Sequence, residues 1–184
     1  YKSRPSHMDQ LHFDLWIDGI NVLCDAGTYS YAGDTGKRLV TNKSHNTAVV
    51  EGKKQMNIRG PFMIYDWTKR RLENCGDTLF EGTMISSNGY IHTRSVKSTG
   101  VSYEIIDRVD ENYEIRFHTP CNVSFKDGEA VLSYGEKIFC KIKSSGKITA
   151  QMSERSLYYL RKEKITCLII RGNKEITTFI NIYK

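Results

Sequence analysis

The stretch "VSYEIIDRVDENYEIRFHTPCNVSFKDGEAVLSYGEKIFCKIK", residues 101–143, decides the fold. Its apolar residues recur at every second position in "VSYEIIDRV" (101–109), "YEIRFHT" (113–119), "AVLSY" (130–134) and "KIFCKIK" (137–143). A strand sends successive side chains to opposite faces, so this spacing buries one face and wets the other. Asp127-Gly128 supplies a tight turn within the stretch, because such a dipeptide tolerates the left-handed backbone of a hairpin loop. The pattern extends both ways, to "LHFDLWI" (11–17), "KITCLIIRG" (164–172) and "EITTFINIY" (175–183). Asp18-Gly19, Asn88-Gly89, Thr99-Gly100 and Gly172-Asn173 add further turns. β-Branched residues and eleven tyrosines suit a pleated, half-buried surface. Only "ERSLYYLRK" (154–162) is spaced for a turn or two of helix. The expected fold is all-β: an antiparallel two-sheet β-sandwich of super-sandwich type, with little or no helix.

With 184 residues, 39% of them apolar, the chain has enough material for one domain with a sizeable core. Three prolines and no Ser/Gly-rich linker leave no internal boundary, so residues 1–184 are expected to form a single sandwich. No run of 18 apolar residues is present, so no membrane-spanning helix is expected. The chain begins Tyr-Lys-Ser, with neither methionine nor signal peptide, as expected of a segment from a longer protein. A net charge of +6 suits an anionic partner such as a nucleic acid, an acidic polysaccharide or a membrane surface. The densest basic clusters, "TKRRLENC" (68–75) and "KIKSSGK" (141–147), are short and read as solvated charge. Five cysteines without CxxC spacing argue against both a full disulfide framework and a cysteine zinc site.

Polar residues crowd the first hairpin, "SRPSHMDQLHFDLWIDGINVLCDAGTYSY" (3–31). A two-residue turn at Asp18-Gly19 would set Ile17 opposite Ile20, Leu15 opposite Val22 and Phe13 opposite Cys24. The same register would set His12 opposite Asp25. Zinc takes about four ligands from imidazole, thiolate or carboxylate, and His7, Asp25 and His45 stand at strand ends where loops meet. Taken singly, each histidine reads as a surface or hydrogen-bonded residue, and His12 is a competing ligand. His92 and Arg94, in "YIHTRSV" (90–96), share one side of a strand expected at a sheet edge. They are candidate contacts for an anionic substrate. Tyr29 and Tyr31 are either proton carriers or an aromatic plug in the mouth of the sandwich. No GxSxG, HExxH or phosphate-binding glycine loop is present.

"SHMDQLHFDLWIDGINVLCDAGTYSY", with "SHNTAVVEGKKQ" at 44–55, resembles the C-terminal β-sandwich of heparinase II/III-like polysaccharide lyases. His7 and Asp9, then Asp25, Gly27 and Tyr29, then His45 and Asn46 occupy the family's motif positions. The resemblance is specific over residues 4–67 and a general sandwich pattern beyond. It implies cleavage of uronate-containing acidic polysaccharide by β-elimination, with an N-terminal α/α toroid packed against the sandwich. It also implies zinc on His7, Asp25 and His45, a bacterial source, and a periplasmic or secreted location. Nucleic acid is not an expected partner. Many members carry an earlier histidine where this chain has Pro5, so no catalytic residue is assigned to the chain, and Arg4 is the candidate cation there. The alternative is a non-catalytic module that binds acidic carbohydrate or serves structure alone, with Trp16 and Trp67 among its aromatic contacts.

Overall fold

The computed structural model describes residues 5–60 and 63–183. The strands run in order as β1 (Leu15–Ile17), β2 (Ile20–Leu23), β3 (Ala48–Val50), β4 (Asn57–Gly60), β5 (Met63–Tyr65) and β6 (Lys69–Cys75). β7 (Leu79–Ile85), β8 (Ile91–Ser98), β9 (Ser102–Val109), β10 (Tyr113–Thr119) and β11 (Asn122–Lys126) follow. β12 (Glu129–Tyr134), β13 (Lys137–Ser144), β14 (Lys147–Tyr158), β15 (Arg161–Gly172) and β16 (Glu175–Ile182) complete the chain. An eight-stranded sheet, ordered β11-β12-β13-β16-β9-β8-β7-β6, faces a four-stranded sheet, β14-β15-β10-β3. Two short hairpins, β1-β2 and β4-β5, lie outside these sheets. Every strand pair is antiparallel, so the expected all-β sandwich is what the sequence forms.

The core follows the alternation that opened the sequence reading. Ile105, Ile115, Phe117, Leu132 and Ile142 are fully buried and belong to one cluster shared by both sheets. Burying a side chain of that size contributes about 1.5–3 kcal/mol. Cys24, Cys121, Cys140 and Cys167 are buried and free, and thus serve as small hydrophobes, whereas Cys75 is exposed. "TKRRLENC" is largely the edge strand β6, exposed along its whole length. Its Lys69, Arg70 and Arg71 put charge on an edge that would otherwise invite pairing with another chain. Among the described residues no helix is long and apolar enough to cross a membrane.

Two local expectations are corrected. "ERSLYYLRK" is no helix: it forms the end of β14, a turn and the start of β15, with Tyr158 paired to Arg161. A seven-residue helix, α1 (Gly33–Leu39), forms in "AGDTGKRLV", a stretch to which the sequence pattern assigns no element. The Ile17–Ile20 pair holds, but the ladder then slips, with Trp16 opposite Asn21 and Leu15 opposite Leu23. The unmatched residue is Val22. This bulge lets Val22, Leu23 and Cys24 all be buried, which a regular alternating strand cannot do.

Candidate metal centre

Three segments build the centre: the loop leading into β1, the loop after β2, and the short link into β3. Asp25 closes an Asx turn, with its Oδ1 accepting the Gly27 N–H at 2.6 Å. This leaves Oδ2 to face His45 Nδ1 at 2.9 Å. His7 reaches the same place from the first loop, its ring centroid 5.1 Å from that of His45 and its Nε2 3.3 Å from Thr28 Oγ1. One ligand-type atom from each of His7, Asp25 and His45 lies within 4.8 Å of the others. Chain spacing alone does not foretell this meeting.

The hydrogen bonds around the donor set dictate its tautomers, and these decide whether it fits a cation. A carboxylate only accepts, so the His45 Nδ1 facing Asp25 carries the proton and Nε2 is a bare lone pair. That Nε2 is buried without a hydrogen-bond partner, a costly state unless something electropositive fills it. His12, the competing ligand, fits a cation less well. Its Nδ1 accepts the Asn46 N–H at 2.9 Å, so the proton of the neutral ring sits on Nε2. A protonated nitrogen cannot ligate. That nitrogen lies 3.9 Å from Asp25 Oδ2 and, like His45 Nε2, is buried without a hydrogen-bond partner. Two imidazoles and a carboxylate are a donor set that suits zinc.

Electrostatics keep the centre ready for a cation. Burial pushes the His12 pKa down to about 4, Asp25 partly opposing it, and burial likewise lowers that of His7, helped by His45. Burial alone would raise the Asp25 carboxyl, but the hydrogen bond and charge of His45, with the Gly27 N–H, outweigh it and hold it well below the carboxylate range. At neutral pH His7 and His12 are therefore neutral and Asp25 is ionised, protonation states that suit metal binding.

Sequence reasoning sets Asn46 at a motif position without a role, and it is the residue that bolts the segments together. Asn46 is fully buried, and its Nδ2 donates to the carbonyls of Phe13 at 2.8 Å and Cys24 at 3.2 Å. Its Oδ1 accepts the His118 N–H at 2.6 Å. The only signal was its place beside His45 in "HNT". Gly27 has a comparable fixed role. Its φ is +66°, and a Cβ there would collide with the Ser156 backbone carbonyl, where the loop runs parallel to the end of β14. Gly27→Ala is expected to lower the unfolding free energy by about 2 kcal/mol or more, from left-handed strain plus that collision. Urea denaturation measures it, and an unchanged midpoint would show that the loop is free to move off β14.

The remaining candidates scatter. His92 and Arg94 are 0% and 1% exposed, inside the eight-stranded sheet rather than at its edge. Both bond to Asp107, so the expectation that they touch substrate is corrected: burial puts them out of reach of any polymer. Tyr31 is 55% exposed and stands at the surface rather than plugging the sandwich; Tyr29 is half-buried. Arg4 lies outside the described residues.

A cavity of about 380 Å³ adjoins the centre, with His7 and Thr28 in its wall. Fold and rim together define a β-sandwich domain that carries a His–Asp–His cluster at one edge. A family model described as Heparinase II/III-like, C-terminal, matches residues 1–182, and the chain belongs to that family. Among solved structures it is similar to a heparinase III, the BT4657 gene product, at 18% identity and a TM-score of 0.79. It is also similar to the heparan sulfate lyase HepC from Pedobacter heparinus, at 17% identity and a TM-score of 0.77. Each match covers 97% of this chain and 31% of the other, so the chain spans about a third of the structures it matches. No curated protein sequence matches it.

Proposed function

We propose that this chain is the C-terminal β-sandwich of a polysaccharide lyase that cleaves uronate-containing polysaccharide by β-elimination. Its His7–Asp25–His45 rim holds zinc and borders a cleft shared with an N-terminal α/α toroid. The observation that carries this reading is the convergence of those three side chains around a buried, unpaired His45 Nε2, in a chain of this family. When bound, the ion ties the rim together and adds positive charge there.

In β-elimination a base removes the proton on uronate C5, those electrons form the C4=C5 double bond, and the C4–O bond breaks as the leaving sugar oxygen gains a proton. No side chain of this sandwich is assigned the role of base. The chain's part is to hold the rim: Asp25 orients His45 through Nδ1, and Asn46 fixes the loops that carry them. Tyr31, at the surface beside the cavity, is the tyrosine placed to meet a sugar.

Elemental analysis of the purified protein is expected to find about one zinc ion per chain, lost in His45→Ala and in His7→Ala with a lower melting temperature. His7 is only half-buried, so its variant removes a ligand with little loss of packing. Zinc neither found nor taken up would end the metal reading. The full-length protein is expected to raise the ultraviolet absorbance of an unsaturated product from heparan sulfate or another uronate polymer. Binding without that product would favour the second reading, a non-catalytic module for acidic sugar, to which the cation-lined cavity also points.

A further inference from the structure

Beside the rim, the 380 Å³ cavity is lined by Lys37, Lys54 and Arg59, and by no aspartate or glutamate. The three cations come from separate elements whose backbones are fixed. Lys37 lies on α1, which packs so closely on the preceding loop that a Cβ at Gly36 would collide with the Ser30 carbonyl. The Lys54 carbonyl accepts hydrogen bonds from Ser86 Oγ and Asn88 Nδ2, both at 2.8 Å. Arg59 lies on β4, its guanidinium 4.9 Å from the Tyr65 ring centroid. Among the described residues the acidic groups near these charges are Asp34, 3.9 Å from Lys37 and itself fully exposed, and Asp66, whose charge acts on Arg59; neither lines the cavity.

The rest of the wall is not that of a bare phosphate site. Val40, Ile58 and Ile64 give the cavity an apolar surface, Tyr31 adds an aromatic ring, and Ser30, Thr28 and Thr41 add hydroxyls. A pyranose presents the complementary chemistry: C–H faces for apolar and aromatic surface, and hydroxyls for hydrogen bonds. A pyranose that also carries a carboxylate or sulfate matches the cations.

We propose that this cavity is a subsite for one acidic sugar unit, in which Lys37, Lys54 and Arg59 bind its carboxylate or sulfate and the apolar wall packs on its ring. The assignment rests on the reading of the chain as part of a protein that acts on acidic polysaccharide, and it extends that reading to a set of charges that neither the motifs nor the rim includes. Convergence from three elements, each held by its own contacts, pre-organises the charges and lowers the cost of binding.

The test is the triple variant Lys37→Ala/Lys54→Ala/Arg59→Ala in the full-length protein. All three side chains are exposed, so folding and metal content are expected to be unchanged. Calorimetry would use sulfated and unsulfated heparan sulfate disaccharides, whose terminal uronate has no sugar at C4 to eliminate, and a carboxyl-reduced disaccharide as control. The unaltered protein is expected to bind the acidic disaccharides better than the reduced one, more weakly as salt rises. The variant is expected to lose about tenfold or more, from three modest charge contacts acting together. Equal binding by the variant, equal binding of the reduced sugar, or tighter binding of an oligonucleotide than of any disaccharide would each overturn the subsite. The lyase reading stands or falls separately. Charge-dependent disaccharide binding without turnover of polymer removes the lyase and keeps the subsite. Turnover with cation-independent binding removes the subsite and keeps the lyase.

Discussion

Asp107→Ala is expected to lower the unfolding free energy by about 3–5 kcal/mol, the cost of stranding a buried charge by removing its partner. Asp107 and Arg94 face each other across β8 and β9, and both are out of contact with water. Arg94 Nε donates to Asp107 Oδ1 at 2.7 Å and its NH2 to Oδ2 at 3.1 Å, while His92 Nε2 lies 2.7 Å from Oδ1. Burial opposes the ionised carboxyl, but the Arg94 charge and the His92 hydrogen bond outweigh it and hold Asp107 below its ordinary range. With the carboxylate gone, the guanidinium has no anion and no path to solvent. Its remaining donor, NH1, already serves the carbonyls of Leu11 at 2.6 Å and Asn46 at 2.7 Å. Those carbonyls sit on the two segments that carry His12 and His45, so the damage should reach the rim, read as loss of the zinc proposed there as well as lost stability. A double replacement, Arg94→Met with Asp107→Leu, is expected to cost clearly less than the two single changes added together, because neither charge is then left alone. Urea denaturation of the four proteins closes the cycle. Additive costs would mean that the pair is solvated through a path the structure does not show.

What was legible in the sequence follows from which forces leave a periodic mark. "YEIRFHT" coincides with β10 (Tyr113–Thr119), because strict alternation and flanking turns specify a strand with one buried face. The slip in the first hairpin left only a faint trace, three consecutive core residues at 22–24, and a single bulge is enough to undo a register drawn from the turn. "ERSLYYLRK" was misread because its apolar residues are not core at all: Leu157, Tyr158, Tyr159 and Leu160 stand exposed at a hairpin tip, so their spacing reflects no buried face. The expected sheet edge puts Arg94 at the surface, although Asp107 lies in phase with the buried Ile105 and Val109, and that phase is the available signal. The rim differs in kind. His7, Asp25 and His45 come from loops whose path no periodicity encodes, so their meeting was legible through family resemblance and not through spacing. Lys37, Lys54 and Arg59 carried no sequence signal, since three elements must fold before they face one cavity.

The fold is also expected to lose stability steeply in mild acid, and the buried histidines fix where. His12 titrates at about 4 and His118 at about 3 in the folded protein, against an ordinary value of 6.5, in each case first because burial penalises the charged ring. For His118 the nearby His45 and Arg116 push the same way. A lowered folded value means that the unfolded chain binds protons first, so stability is intact above 6.5 and falls as pH drops toward 4. Each histidine held neutral contributes about 1.4 kcal/mol per pH unit to that slope, so the two together give about 3 kcal/mol per unit near pH 5. Competition of protons with a metal for His7 and His45 acts in the same direction. His118 is the place to test the account, since its Nδ1 meets Asn46 Oδ1 at 3.2 Å while its Nε2 has no partner. His118→Asn removes one titrating ring and can restore a donor to Asn46, so its stability should fall less steeply between pH 6.5 and 4.5 than that of the unaltered protein. Urea unfolding at half-unit pH steps reads both slopes. Equal slopes would mean that His118 gains its proton inside the fold, which would put that proton on the buried Nε2 that now has no partner, Nδ1 already donating to the Asn46 carbonyl.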